Sequence, residues 1–182
     1  MKTGLTLVEL AQELTAQQET KRDFHAPTSS LSMLGNGNFH LETSNGSEEM
    51  PATDYAHAQI ASRLQVPKPY YDRMRSVSPE LLSTNVNYWL GKKQGETSLI
   101  RTLRHQMRAF LSNRYRIVDN HEILAMVMPE LAEMGEGIKI ASCNVTAEKM
   151  YLKVVNTNIE SAISVGDPVY LIQIFYIKQQ QQ

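Results

Sequence analysis

Cysteine is almost missing from this chain: Cys143 stands alone, which excludes an internal disulfide and reads as a small buried thiol. Neither sign of charge is in surplus. The net charge of -1 argues against a protein that coats nucleic acid with its whole surface, so any such binding must come from a local patch. The N-terminus lacks a long uncharged run, because Glu9 and Glu13 interrupt its apolar periodicity. It does not read as a signal peptide, and a cytoplasmic, membrane-free protein is expected. On that reading the sequons at Asn45 and Asn144 are chance matches.

Chemical signatures are equally sparse. His25, His40, His57, His105 and His121 have no cysteine or second histidine at ligand spacing, so no metal site is expected. The "GNGN" at 35–38 lacks the downstream glycine and lysine of a phosphate loop and reads as a turn. No Gly-x-Ser-x-Gly stretch is present. These absences assign no catalytic residue and no cofactor.

What is present suits a folded protein. At 182 residues, 42% hydrophobic and 20% charged, the chain can bury a proper core. Residues 1–30 read as an N-terminal helix (Leu5, Val8, Leu10 and Leu14 at helical spacing) followed by a linker, and residues 31–182 as one α+β domain. In that domain 54–91 is helical. Asp54 is the expected N-cap of the first helix, Val66-Pro67 ends it, a second starts on the prolines, and a third begins at Pro79 and closes at Gly91. From 97 to 178 strands dominate. "TSLIRTL" and "MRAFLS" suggest a hairpin, with one longer helix as the alternative. A helix follows from Asp119 or Asn120, with Pro129 as a kink or early stop, and then a second hairpin, "IKIASCNV" and "KMYLKVVN". The fold class is therefore α+β: a helical N-terminal half, then an antiparallel sheet interrupted by one helix.

The strongest local signal lies in "RTLRHQMRAFLSNRYRIVDN". Arg101, Arg104, Arg108, Arg114 and Arg116 fall within sixteen residues, and no Asp or Glu occurs between Glu96 and Asp119. Guanidinium groups grip phosphate as planar forks and stack on bases, so these arginines with Tyr115 could form a nucleic-acid surface. On a strand Arg101 and Arg104 would point to opposite faces; on a helix Arg101, Arg104 and Arg108 would share one. The bland reading has the arginines pairing with Glu130, Glu133 and Glu136. A helix-turn-helix in "AHAQIASRLQVPKPYYDRM" is weakened by Gln65 at the usual glycine position and by two prolines, so plain helix packing is preferred. Tyr70, Tyr71, Tyr88 and Trp89 are expected in the core.

The runs "SRLQVPKPYYDRM", "NVNYWL", "RAFLSNRYRIVDNHEIL" and "VGDPV" resemble a phage/plasmid-like protein family that carries a large domain of unknown function, over about residues 56–169. "RAFLSNRYRIVDN" is the most specific part. Members of that family continue past "VGDPV" with further strands, whereas this chain turns into "YLIQIFYIKQQQQ", so truncation or frameshift after about Val169 is expected. The apolar terminal run should pair in a sheet and offers a route to oligomers. The resemblance implies a mobile-element context and no particular reaction. Two functions follow: a non-enzymatic protein binding nucleic acid, single-stranded DNA foremost, or an interaction or inhibitor module acting on a host or phage protein. An enzyme is the weaker third.

Overall fold

A computed structural model describes residues 2–3, 7–133, 138–145, 149–164 and 167–178. In chain order the elements begin with β1 (Lys2–Thr3), α1 (Leu7–Thr20), β2 (Lys21–Pro27), β3 (Leu31–Met33), β4 (Phe39–Thr43) and β5 (Gly46–Met50). Next come α2 (Asp54–Arg63), α3 (Lys68–Val77), α4 (Pro79–Gly91), β6 (Thr97–Leu103) and β7 (Gln106–Ser112). The last are α5 (Asn120–Glu133), β8 (Ile138–Val145), β9 (Lys149–Ser164) and β10 (Asp167–Lys178). The protein is mixed α+β, with three antiparallel sheets ordered β1-β8-β9-β10, β2-β6-β7 and β3-β4-β5. No helix among the described residues is long and apolar enough to cross a membrane.

Two compact units form: a terminal one from residues 1–19 and 117–182, and a central one from residues 20–116. In the terminal unit Leu10 and Leu14 of α1 join Leu124 and Leu131 of α5 and Met150, Leu152 and Val154 of β9 in one apolar cluster. Helix α5 runs through Pro129 to Glu133 without stopping. The apolar C-terminal run pairs with β9 from Asp167 to Lys178, as edge strand β10.

The central unit differs from the sequence reading before its helices begin. Residues 21–27, expected as linker and loop, form β2, which pairs with β6. A polar stretch such as "KRDFHAP" carries little strand signal of its own; its partner lies nearly eighty positions downstream, and only the tertiary pairing makes it a strand. The ambiguous 97–112 segment is a hairpin. Its two turn residues, Arg104 and His105, both take positive φ, 51° and 59°. Such two-residue turns match the twist of the flanking strands but favour Asn-Gly over bulky residues.

Helix α2 is capped one residue before the expected position: Thr53 Oγ1 accepts a hydrogen bond from the Ala56 amide at 3.1 Å. Asp54 instead accepts from Arg75 Nη1 at 2.7 Å, tying α2 to α3, and this hydrogen bond lowers its carboxyl pKa. Inside the same helix pair, His57 Nδ1 and the Tyr71 hydroxyl share a hydrogen bond of 2.8 Å, both side chains being buried. Phe39 packs on the other side of the imidazole, with ring centroids 5.6 Å apart.

Sheet edges are closed by amide side chains from these helices. Asn87 of α4 accepts from the Met33 amide at 2.7 Å and donates to its carbonyl at 2.9 Å, imitating a neighbouring strand along β3. Gln59 of α2 accepts from the Phe110 amide of β7 at 2.8 Å. Backbone groups that would otherwise be exposed or orphaned are thereby satisfied.

Two predictions follow from this packing. Burial, then the Arg75 charge, holds the His57 pKa down at about 4 from its ordinary 6.5. As pH falls through 6.5 the unfolded chain takes up a proton that the folded one refuses until about 4. Stability is therefore full above 6.5 and declines between 6.5 and 4, by roughly 3 kcal/mol in total; urea unfolding across that range should show the slope, and His57→Gln should flatten it. In the hairpin, Arg104→Asn with His105→Gly should raise the unfolding free energy by about 1 kcal/mol by relieving two left-handed residues.

Candidate nucleic-acid interface

The five arginines of the sequence cluster do not converge. The middle five residues of β6 and of β7 are all buried, so both faces of these strands are covered. Alternation alone therefore exposes neither arginine set. Arg101, on the central strand, is fully buried; its Nε and Nη2 donate to the two carboxylate oxygens of Asp23 at 2.9 and 3.1 Å. Asp23 sits directly opposite it on β2. Arg108 is also buried, at 6% exposure. It occupies a bulge, since Arg101 pairs with Ala109 and Thr102 with Met107. Burial withdraws both side chains from any ligand, which corrects their placement in a surface patch.

Arg104, Arg114 and Arg116 are exposed, and Tyr115 is half-buried between the last two. Arg104 lies at the hairpin turn, whereas Arg114 and Arg116 follow the end of β7. The register from Ser98 and Ser112 to Leu103 and Gln106 separates those two ends by about 17 Å. Asn113, at the β7 end, is held by a 2.7 Å hydrogen bond to His25 Nδ1. Neither Arg114 nor Arg116 has a carboxylate partner among the described residues.

The aromatics expected in the core divide between core and surface. Tyr71 is buried, but Tyr70, Trp89 and Tyr88 are 48%, 44% and 58% exposed. Successive helix residues are turned about 100° from one another, so an adjacent pair of aromatics need not share one face. On α4 the buried stripe is Leu82, Val86 and Leu90, which leaves Tyr88 and Trp89 to the side. On α3 the His57 hydrogen bond turns Tyr71 inward and Tyr70 outward. The signal was thus available in the helical spacing of Leu82, Val86 and Leu90.

Tyr70 and Trp89 line a groove of about 530 Å³ within the central unit. The Tyr88 ring meets Trp89 edge-on, with centroids 5.1 Å apart and planes at 82°. Lys92 Nζ lies over the Tyr88 ring at 5.3 Å and also borders the groove. Also in the lining, Glu96 accepts from Arg63 Nη2 at 3.1 Å and from Lys93 Nζ at 3.2 Å. Three cations thus face one carboxylate. Gln65, the residue in the turn between α2 and α3, adopts φ 56° and contributes an amide to the lining, as does Asn85. That turn does take the left-handed residue a helix-turn-helix requires, although with glutamine in place of glycine.

Groove and arginine pair share one end of the β2-β6-β7 sheet. Glu96 precedes Ser98, the register partner of Ser112, by two residues, roughly 7 Å of strand. Among the described residues no group of three His, Cys, Asp or Glu side chains is placed to hold a metal.

The Arg101–Asp23 pair is testable as a structural element. Asp23→Ala should lower the unfolding free energy by about 3 kcal/mol, because it removes the bidentate acceptor of a buried guanidinium, whereas Arg101→Met with Asp23→Leu should recover most of the loss. Denaturant titration of the three chains decides this. Compared with family models, with curated proteins and with solved structures, the chain matches none.

Proposed function

We propose that this protein binds nucleic acid, single-stranded DNA foremost, without catalysing a reaction, in the cytoplasm of a cell that carries a phage, prophage or plasmid. The observation that carries the reading is the exposed Arg114–Tyr115–Arg116 segment, whose two guanidinium groups have no carboxylate partner among the described residues. Guanidinium groups left to solvent at alternate positions suit phosphates along a strand, and the tyrosine between them suits a base. The resemblance of "RAFLSNRYRIVDN" to a phage/plasmid-like family supports the mobile-element context. Arg104 adds to the same surface only for a ligand long enough to span the sheet. An oligomer, where one forms, would add a strand at the free edge of β10.

A protein-interaction module is the competing reading, favoured by the exposed Tyr70, Tyr88 and Trp89, since such aromatics also anchor protein interfaces.

Fluorescence anisotropy with labelled single-stranded and duplex oligonucleotides over a salt series separates the two. Two phosphate contacts by Arg114 and Arg116 predict a log-log salt slope of about -1.4 for a single strand. Arg114→Glu with Arg116→Glu should abolish binding, while the Arg101→Met, Asp23→Leu chain should bind normally. Absence of binding at low salt, or binding indifferent to the charge reversals, would reject the proposal in favour of a protein partner.

A further inference from the structure

We infer that the groove between Tyr70 and Trp89 receives an unpaired base of single-stranded nucleic acid, and so makes the protein selective for strands over duplexes. This inference rests on the function proposed above and names a second, separate contact for the same ligand.

Five observations carry it. Two aromatic side chains nearly half exposed on neighbouring helices border one concavity, where a solvated surface would ordinarily carry polar groups. Trp89 is not loose: Tyr88 braces it edge-on, so the indole face is fixed before a ligand arrives. The electrostatics select an anion. Arg63, Lys92 and Lys93 outnumber Glu96, and Lys92 has no carboxylate partner among the described residues, its ammonium resting instead over the Tyr88 ring. An aromatic wall beside a cation is what a base followed by its phosphate requires, because stacking needs only a π-face and the phosphate a nearby charge. Glu96 of the groove and the Arg114–Arg116 segment lie toward the same end of the β2-β6-β7 sheet, so one strand can meet both. Gln65 and Asn85 supply amides that can donate to and accept from a base edge, which a paired base would already have satisfied within the duplex.

Trp89 is the only tryptophan in the chain, so its emission reports on the groove alone. Titration of the full chain with a short oligodeoxythymidylate should quench that emission. An abasic strand of the same length, or a duplex, should bind without the quench. By anisotropy, Trp89→Leu should weaken binding of the thymidylate strand by about 5- to 150-fold, Trp89→Phe should restore most of the affinity, and Lys92→Glu should weaken it further. Trp89 being partly exposed, thermal melts of these variants should match the parent. Salt-dependent binding with unchanged emission, and with equal affinity for the abasic strand and for Trp89→Leu, would overturn the groove while leaving the arginine reading intact. If no oligonucleotide binds the parent chain at low salt, both fail together.

Discussion

The central sheet depends on a cation that has no access to water. Arg101 sits on the middle strand of three with none of its side chain exposed, and a guanidinium cannot shed its charge by deprotonation. It is tolerable there because Asp23 stands directly opposite and accepts from it in bidentate fashion. A one-residue slip of β2 would turn Asp23 to the other face and take its bidentate acceptor away from that buried charge. The pair therefore acts as a register lock. It recruits residues 21–27, polar and without strand character of their own, into the sheet that supports both the hairpin and the segment after it.

The same lock explains why the sequence misled at its most suggestive point. A run of five arginines without an acidic neighbour looks like a ligand surface when carboxylates are counted locally, yet the partner of Arg101 is distant in sequence and adjacent in space. What was legible were the features set by short-range chemistry: the three helices between 54 and 91 with their prolines and Gly91, the hairpin at 97–112, the helix opening near Asn120, and the turn at 35–38, where Gly37 takes φ +89°. Strand β2 and the burial of Arg101 and Arg108 were not, because each is decided by pairing or covering contacts that no local window contains. The aromatics lie between these cases. Their exposure follows from helix geometry once Leu82, Val86 and Leu90 are recognised as the inward stripe, so they were legible in principle and misassigned by treating neighbouring residues as one cluster.

Burial of the tyrosine and exposure of its neighbour are also linked energetically. The helix pair is clamped twice, by Arg75 on Asp54 at its surface and by Tyr71 on His57 in its interior. The interior clamp requires a neutral imidazole, since a charged one would face both burial and the Arg75 guanidinium. With the clamp in place the direction of α3 and the φ of Gln65 are fixed, and Tyr70 is thereby held at the groove. A buried hydrogen bond thus preorganises an exposed ring, which lowers the ordering entropy that a ligand must overcome.

The distribution of charge has a consequence for the kind of affinity such a surface can have. With two of the five clustered arginines buried and a third at the opposite end of the sheet, few cations face any one ligand, and the chain as a whole carries a net charge of -1. Long-range attraction to a duplex, whose affinity scales with the number of phosphates neutralised, is correspondingly weak. Stacking on a fixed aromatic does not depend on that count and changes little with salt. A protein built this way gains discrimination from the contact that only an unpaired base can make, and its low overall charge then serves selectivity by withholding the non-specific binding that a basic surface would give.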